Sequence, residues 1–234
     1  FYQPQVDLRN GRTVSVEALL RWDSPKLGSI SPVDFIPIAE QNGMIDALGL
    51  FVLEEALQWV SRWRREIDPD FRVAVNLSPR QFRSRTLLED IDGAIQRAGV
   101  PPQALELEIT EGVLMLEHAR VGEALRSLVE HGISLSLDDF GTGFSSLSYL
   151  RNYPFDSLKI DRSFTSDITD DPADRELVVA IITMAQSLGL SIIAEGVETS
   201  EQETVLKQFD CDLGQGYLYS RPVPPEHIGP DISS

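Results

Sequence analysis

"EALRSLVEHGISLSLDDFG", residues 123–141, carries the pattern that decides the fold. An amphipathic helix pattern runs to a glycine, Gly132, and a short strand pattern follows that ends in two aspartates. The same order recurs on both sides: "DIDGAIQRAG" leads into "ALELEITE", and "VVAIITMAQSLG" leads into "LSIIAEGVE". Gly99, Gly132 and Gly189 stand where a left-handed residue ends a helix. Residues 50–67 add another helix, with Leu53, Ala56, Leu57, Val60 and Ile67 along one stripe. Helix and strand in alternation over the whole length predict an α/β fold with a mostly parallel sheet.

Strands are expected near residues 1–8, 13–21, 72–77, 104–110, 134–138, 157–160, 191–195 and 213–219. That number of strands in a chain of 234 residues suits a (β/α)8 barrel better than an open, doubly wound sheet. The tight turn "RNGR" between the first two predicts a hairpin, so one strand runs antiparallel to its neighbour. No low-complexity tract or linker divides the chain, and residues 1–234 read as one domain. The opening "FYQPQVDL" already reads as a strand, so the chain is expected to be a piece of a longer protein.

The strand ends are polar. Glu17 closes "TVSVE", Asn76 "RVAVN", Glu108 "LELE", Asp138 "SLSLD", Lys159 "SLK", Glu195 "SIIAE" and Gln215 "LGQ". Along these strands the apolar phase suits the helix layer, while the polar phase points inward. Inward polar groups are costly unless paired, so an ion or a dense network is expected at the rim where the strands end.

Thirty-seven acidic against twenty basic residues give a net charge of −17. That field argues against polymeric nucleic acid as a partner. It does not exclude a small phosphorylated ligand held through divalent cations, which reverse the local charge. No apolar run is long enough to span a membrane, and no signal peptide opens the chain. Membrane contact by this domain is therefore not expected. The single cysteine, Cys211, excludes an internal disulfide framework and suits a cytoplasmic location. It reads as a small buried hydrophobe.

Glu17, Asn76, Glu108 and Asp138 supply three carboxylates and an amide oxygen. This hard oxygen set suits Mg²⁺ or Mn²⁺ rather than zinc; His118, His131 and His227 show no ligand-like pairing. Asp139 beside Asp138 allows a second cation with Asp138 bridging. Two ions about 4 Å apart clamp an in-line displacement at phosphorus. Glu195 and Lys159 then lie over the bridging water, to deprotonate or orient it. Each residue alone has a plainer explanation: Glu17 or Glu108 as the ion-pair partner of Lys159, and the aspartate pair as a cap on the following turn. Polar residues at seven strand ends in one phase are harder to explain by stability alone. No Walker-type lysine follows the glycines, and no G-x-S-x-G elbow is present.

At these residues the chain resembles the EAL family of bacterial cyclic-di-GMP phosphodiesterases. The family's triplet is Glu17-Ala18-Leu19 in "VEALLRW". The resemblance runs from "FYQPQ" to "SRPVPP" and includes "VNLSPRQF", "LELEITE", "LDDFGTGFSSLSYL", "LKIDRSF" and "IIAEGVET". It implies a modified (β/α)8 TIM-type barrel with an antiparallel first strand. It also implies hydrolysis of cyclic di-GMP to linear pGpG with two Mg²⁺ or Mn²⁺ ions, and inhibition by Ca²⁺. By motif position, Glu17, Asn76, Glu108 and Asp138 hold the first metal, and Asp138 with Asp139 the second. Lys159, Glu195 and Gln215 serve the water and outer shell, and Gln3 and Arg21 contact the ligand. Glu111 anchors the "DDFGTG" loop. Members usually start one helix earlier. The family's dimer contacts, near "SSLSYL", imply a homodimer controlled by an upstream sensor or cyclase domain. Degenerate members act as inactive cyclic-di-GMP receptors or dimerisation modules, usually after losing a metal ligand. Every ligand motif stands here, and the expectation is an enzyme.

Overall fold

The computed structural model describes residues 1–114, 118–141 and 147–229. In chain order the strands are β1 (Tyr2–Asp7), β2 (Thr13–Ala18), β3 (Trp22–Ser24), β4 (Gly28–Ile30), β5 (Arg72–Asn76), β6 (Leu105–Thr110), β7 (Ser134–Phe140), β8 (Ser157–Ile160), β9 (Ser191–Ala194) and β10 (Leu213–Gln215). The helices are α1 (Pro32–Asn42), α2 (Met44–Glu66), α3 (Leu87–Ala98), α4 (Glu111–Leu114), α5 (His118–Glu130), α6 (Leu147–Asn152), α7 (Arg162–Thr165), α8 (Pro172–Ser187) and α9 (Ser200–Gln208).

Among the described residues, eight strands close into a barrel in the order β1-β10-β9-β8-β7-β6-β5-β2. β1 runs antiparallel to both neighbours, and the other barrel pairs are parallel. The "RNGR" turn explains why: a hairpin of this length joins only antiparallel strands, and Gly11 takes the left-handed φ of 74° that such a turn needs. Gly99, Gly132 and Gly189 adopt positive φ at the helix ends, as their positions predict. His131 is also a helix-end residue, its Nδ1 2.7 Å from the Ser127 carbonyl.

The apolar phase of each strand faces the helix layer. Leu53, Ala56, Leu57, Val60 and Trp63 of α2 pack in one cluster with Val16, Val73 and Val75, and Trp63 meets Tyr2 and Phe71 edge-on at 5.0 and 5.8 Å. Each buried Leu or Val of this cluster contributes about 1.5–3 kcal/mol. The opposite phase fills the barrel with polar groups: Gln5, Ser15, Glu17, Glu106, Glu108, Ser136, Asp138, Ser157, Lys159 and Gln215 are all buried.

Two parts of the chain depart from the expected pattern. The second strand ends at Ala18 rather than residue 21, and the β3–β4 hairpin follows as a separate two-stranded sheet. Then α1 appears, and α2 begins at Met44 instead of residue 50. The last barrel strand ends at Gln215, and residues 216–219 turn back. No helix among the described residues is long and apolar enough to cross a membrane.

Candidate metal centre at the barrel mouth

The parallel strands end together, and their last inward residues converge on Lys159. Its ammonium lies 2.7 Å from Glu195, 2.9 Å from Glu108, 3.3 Å from Glu17 and 3.4 Å from Asp138. Lys159 is 1 % exposed. Glu17 is tied on both oxygens: Asn76 Nδ2 donates to Oε1 at 2.7 Å, and Gln215 Nε2 donates to Oε2 at 2.6 Å. Thus β2, β5, β6, β7, β8 and β10, with the residue after β9, each deliver one polar group to one point.

The charges do not balance. Four carboxylates share one ammonium, in a setting where an unpaired charge is costly. Glu108 and Glu17 respond in opposite directions. Burial and the Glu17 charge push the Glu108 carboxyl well above the usual carboxylate range, against the pull of Lys159. Burial also works to raise Glu17, but Lys159, Gln215 and Asn76 outweigh it and hold the group below that range. Burial lifts Glu195 to about 7, with Lys159 opposing and Asp138 and Glu17 adding to the rise. Lys159 is held charged: burial disfavours its ammonium, but the surrounding carboxylates raise it well above the ordinary lysine value.

Glu108 supplies the test of whether a cation fits here. Its Oε2 lies 2.9 Å from the Lys159 ammonium, and neither buried oxygen has a hydrogen-bond partner among the described residues. A buried carboxylate oxygen without a donor suits a ligand for a hard cation. Asn76 spends its amide nitrogen on Glu17, which leaves its oxygen for the same purpose. Asp138, Asp139 and Glu195 also each bring one oxygen to within 4.8 Å of the others.

Adjacent residues of a regular strand point to opposite faces, so Asp138 and Asp139 need a break to act together. The register between β7 and β8 jumps from Leu137↔Leu158 to Phe140↔Ile160, one extra residue on β7, which is a β-bulge. Within it Asp139 takes φ 56°, a left-handed conformation that aspartate tolerates better than most side chains. Burial and the Asp138 charge raise the Asp139 carboxyl. Gly141 follows with φ 98°, and a Cβ there would meet the Phe164 ring at 2.8 Å. Its amide donates to Glu111 Oε1 at 3.3 Å, so Glu111 holds the backbone two residues after Asp139. Residues 142–146 of the loop lie outside the described residues, and with them the first two residues of the expected dimer segment, 145–150.

Gln3 lies opposite Glu17 across the β1–β2 pair, and Arg21 follows β2 beyond its last residue, Ala18. Gln3 accepts from Gln215 at 3.2 Å and donates to the Ser220 carbonyl at 3.2 Å. Arg21 donates to the Leu20 carbonyl at 3.0 Å and lines a cavity of about 350 Å³ with Leu20, Ile36, Glu40, Leu48 and Asn76. Asn76 borders both this cavity and the carboxylate cluster, where it donates to Glu17. The α1 and α2 residues that wall it are absent from the sequence-derived set, because no strand end announces them. Gln5 was also missed, although its two-residue spacing from Gln3 places it on the inward phase.

A family model for the EAL domain matches residues 1–222. Cyclic di-GMP phosphodiesterase NbdA of Pseudomonas aeruginosa is 45 % identical over 223 residues, covering 95 % of this chain and 28 % of that protein. Among solved structures, the PaMucR phosphodiesterase of the same organism, in a c-di-GMP complex, superposes with TM-score 0.91 at 41 % identity, covering 96 % of this chain and 91 % of that one. The calcium/cy-diGMP complex of Klebsiella pneumoniae BlrP1 gives TM-score 0.84 at 28 % identity, covering 98 % and 56 %. The chain spans about a third of the length of the curated relatives it matches.

Proposed function

Because this chain belongs to the EAL domain family, we propose that it is a metal-dependent phosphodiesterase that hydrolyses one phosphodiester bond of cyclic di-GMP, giving linear pGpG. The observation that carries this reading is the surplus of buried carboxylates around Lys159, with Glu108 Oε1 left without a donor. The names of the relatives, NbdA and MucR, supply the substrate class.

In this reading Glu17, Asn76, Glu108 and Asp138 hold one Mg²⁺ or Mn²⁺, and Asp138 with Asp139 a second. When bound, the ions supply Lewis-acid stabilisation of the negative charge that builds up at phosphorus. The protein's own groups do the rest. Glu195, whose carboxylate oxygen gathers with those of Asp138 and Asp139, accepts the proton of the attacking water. Lys159, 2.7 Å away, keeps its own proton and orients that carboxylate. Gln215 holds Glu17 in place, Arg21 and Gln3 bind the ligand, and the Glu111–Gly141 hydrogen bond fixes the backbone that carries Asp139. Ca²⁺ takes more and longer oxygen bonds than Mg²⁺, so it occupies the same set without supporting turnover. The same reading takes residues 1–234 as one domain of a longer cytoplasmic signalling protein, working as a homodimer under an upstream sensor or cyclase domain.

The test is turnover of cyclic di-GMP with Mg²⁺ or Mn²⁺, products separated by chromatography, against a chelated control. Metal-dependent appearance of pGpG is the expected result. Ligand binding without product would replace the enzyme with a receptor.

A further inference from the structure

Below the carboxylates lies a line of buried polar side chains, of which the chemistry above uses only Gln215. The antiparallel β1 places Gln5 opposite Gln215 of β10 on one side and Ser15 of β2 on the other. Gln5, Ser15 and Gln215 are 1 %, 3 % and 3 % exposed, so no bulk water completes their bonding. Ser15 Oγ donates to Gln5 Oε1 at 2.6 Å, and Gln5 Nε2 donates to Gln215 Oε1 at 3.0 Å. Gln215 Nε2 then donates to Glu17 Oε2 at 2.6 Å.

The direction of this chain is set by its chemistry. A carboxylate needs a donor, so Gln215 must turn its nitrogen, not its oxygen, toward Glu17. Its oxygen then faces down the barrel and needs a donor of its own, or it becomes a buried acceptor without a partner. Gln5 provides that donor. The Gln5 amide is oriented in turn by the Ser15 hydroxyl. Three donors point the same way and end on one carboxylate, an arrangement in which each bond polarises the next.

We propose that Gln5 and Ser15 are positioning residues for the metal centre: they fix the Gln215 amide so that it holds Glu17 in the orientation that binds the cation. The inference rests on the reading of Glu17 as a metal ligand. Partners one step behind a ligand commonly change metal affinity by about 10–100-fold when removed. Gln5→Met keeps the volume and removes the donor, so it should weaken Mn²⁺ binding by about 10-fold in calorimetry without substrate. Ser15→Ala, one bond further away, should cost less.

Action through Gln215 is separable from a general packing effect. If Gln5 acts through that amide, Gln5→Met/Gln215→Met binds Mn²⁺ no worse than Gln215→Met alone; losses that add would overturn the proposal. A second readout needs no metal. The side-chain amide resonances of Gln215, identified by their disappearance in Gln215→Met, should shift in Gln5→Met and in Ser15→Ala. Unchanged resonances in folded variants would overturn it as well. If Gln5→Met does not fold, Ser15→Ala carries both comparisons. A wild-type protein that binds no Mn²⁺ would sink the metal reading of Glu17 and this proposal's consequence for it, whereas Mn²⁺ binding without cyclic di-GMP turnover would sink only the proposed activity.

Discussion

Glu106 and Glu108 stand two residues apart on β6, on the same inward face, and are buried to 4 % and 1 % exposure. Their surroundings differ. Glu106 accepts from Ser157 Oγ at 2.8 Å and pairs with Arg72 at 3.4 Å, so both of its oxygens are engaged. Glu108 shares one ammonium with three other carboxylates, and neither of its oxygens has a hydrogen-bond partner among the described residues. The lower pair is what a fold arranges when it buries charge for structure: one anion, one cation, one hydroxyl. The upper set is left short of positive charge, as a binding site for cations must be.

The comparison can be broken from either side. Glu17→Ala should lower turnover by about 1000-fold or more, ~4 kcal/mol at the barrier, in a protein whose circular dichroism is unchanged; near-normal turnover would dissolve the metal assignment. Lys159→Met should cost the metal-free protein about 3–5 kcal/mol, because it strips from a buried anionic cluster the ammonium that four carboxylates share. Mn²⁺ should restore more stability to this variant than to wild type, as read by thermal melts with and without the ion. Glu106→Gln should cost about 1–3 kcal/mol of stability while leaving Mn²⁺ affinity within about two-fold, since its partners are protein groups that no cation replaces. The smallest effect belongs to Cys211, which precedes β10 at the end of the barrel away from the carboxylates and is 3 % exposed. Burial and the neighbouring Asp212 push its thiol up to about 12, so alkylating reagents at pH 8 should label it only at the rate of unfolding.

The barrel and the upper set were legible in the sequence for the same reason. Strands with a two-residue alternation, each ending in a polar residue, state both the fold and the rim, and the hairpin turn at "RNGR" states which strand reverses. The β3–β4 hairpin left no such trace. Its strands are three residues each, Trp22 at one end is 46 % exposed, and so few positions carry no periodicity. In α1, Pro37 lies inside the helix and Val33 and Ile38 are 81 % and 60 % exposed, which hides the usual apolar stripe. Lys159 was placed over the water by pattern; that it touches Glu17, Glu108, Asp138 and Glu195 at once depends on barrel geometry that no spacing encodes. The bulge that turns Asp139 onto the side of Asp138 is likewise visible only in the register between β7 and β8.

The proposed function requires two cations among the unbalanced carboxylates. Crystals grown with Mn²⁺ and measured at the manganese absorption edge test it directly. Two anomalous peaks are expected, one against Glu17, Asn76, Glu108 and Asp138 and one against Asp138 and Asp139. A map with no peak there, and the Lys159 ammonium as the only cation among the carboxylates, would contradict it.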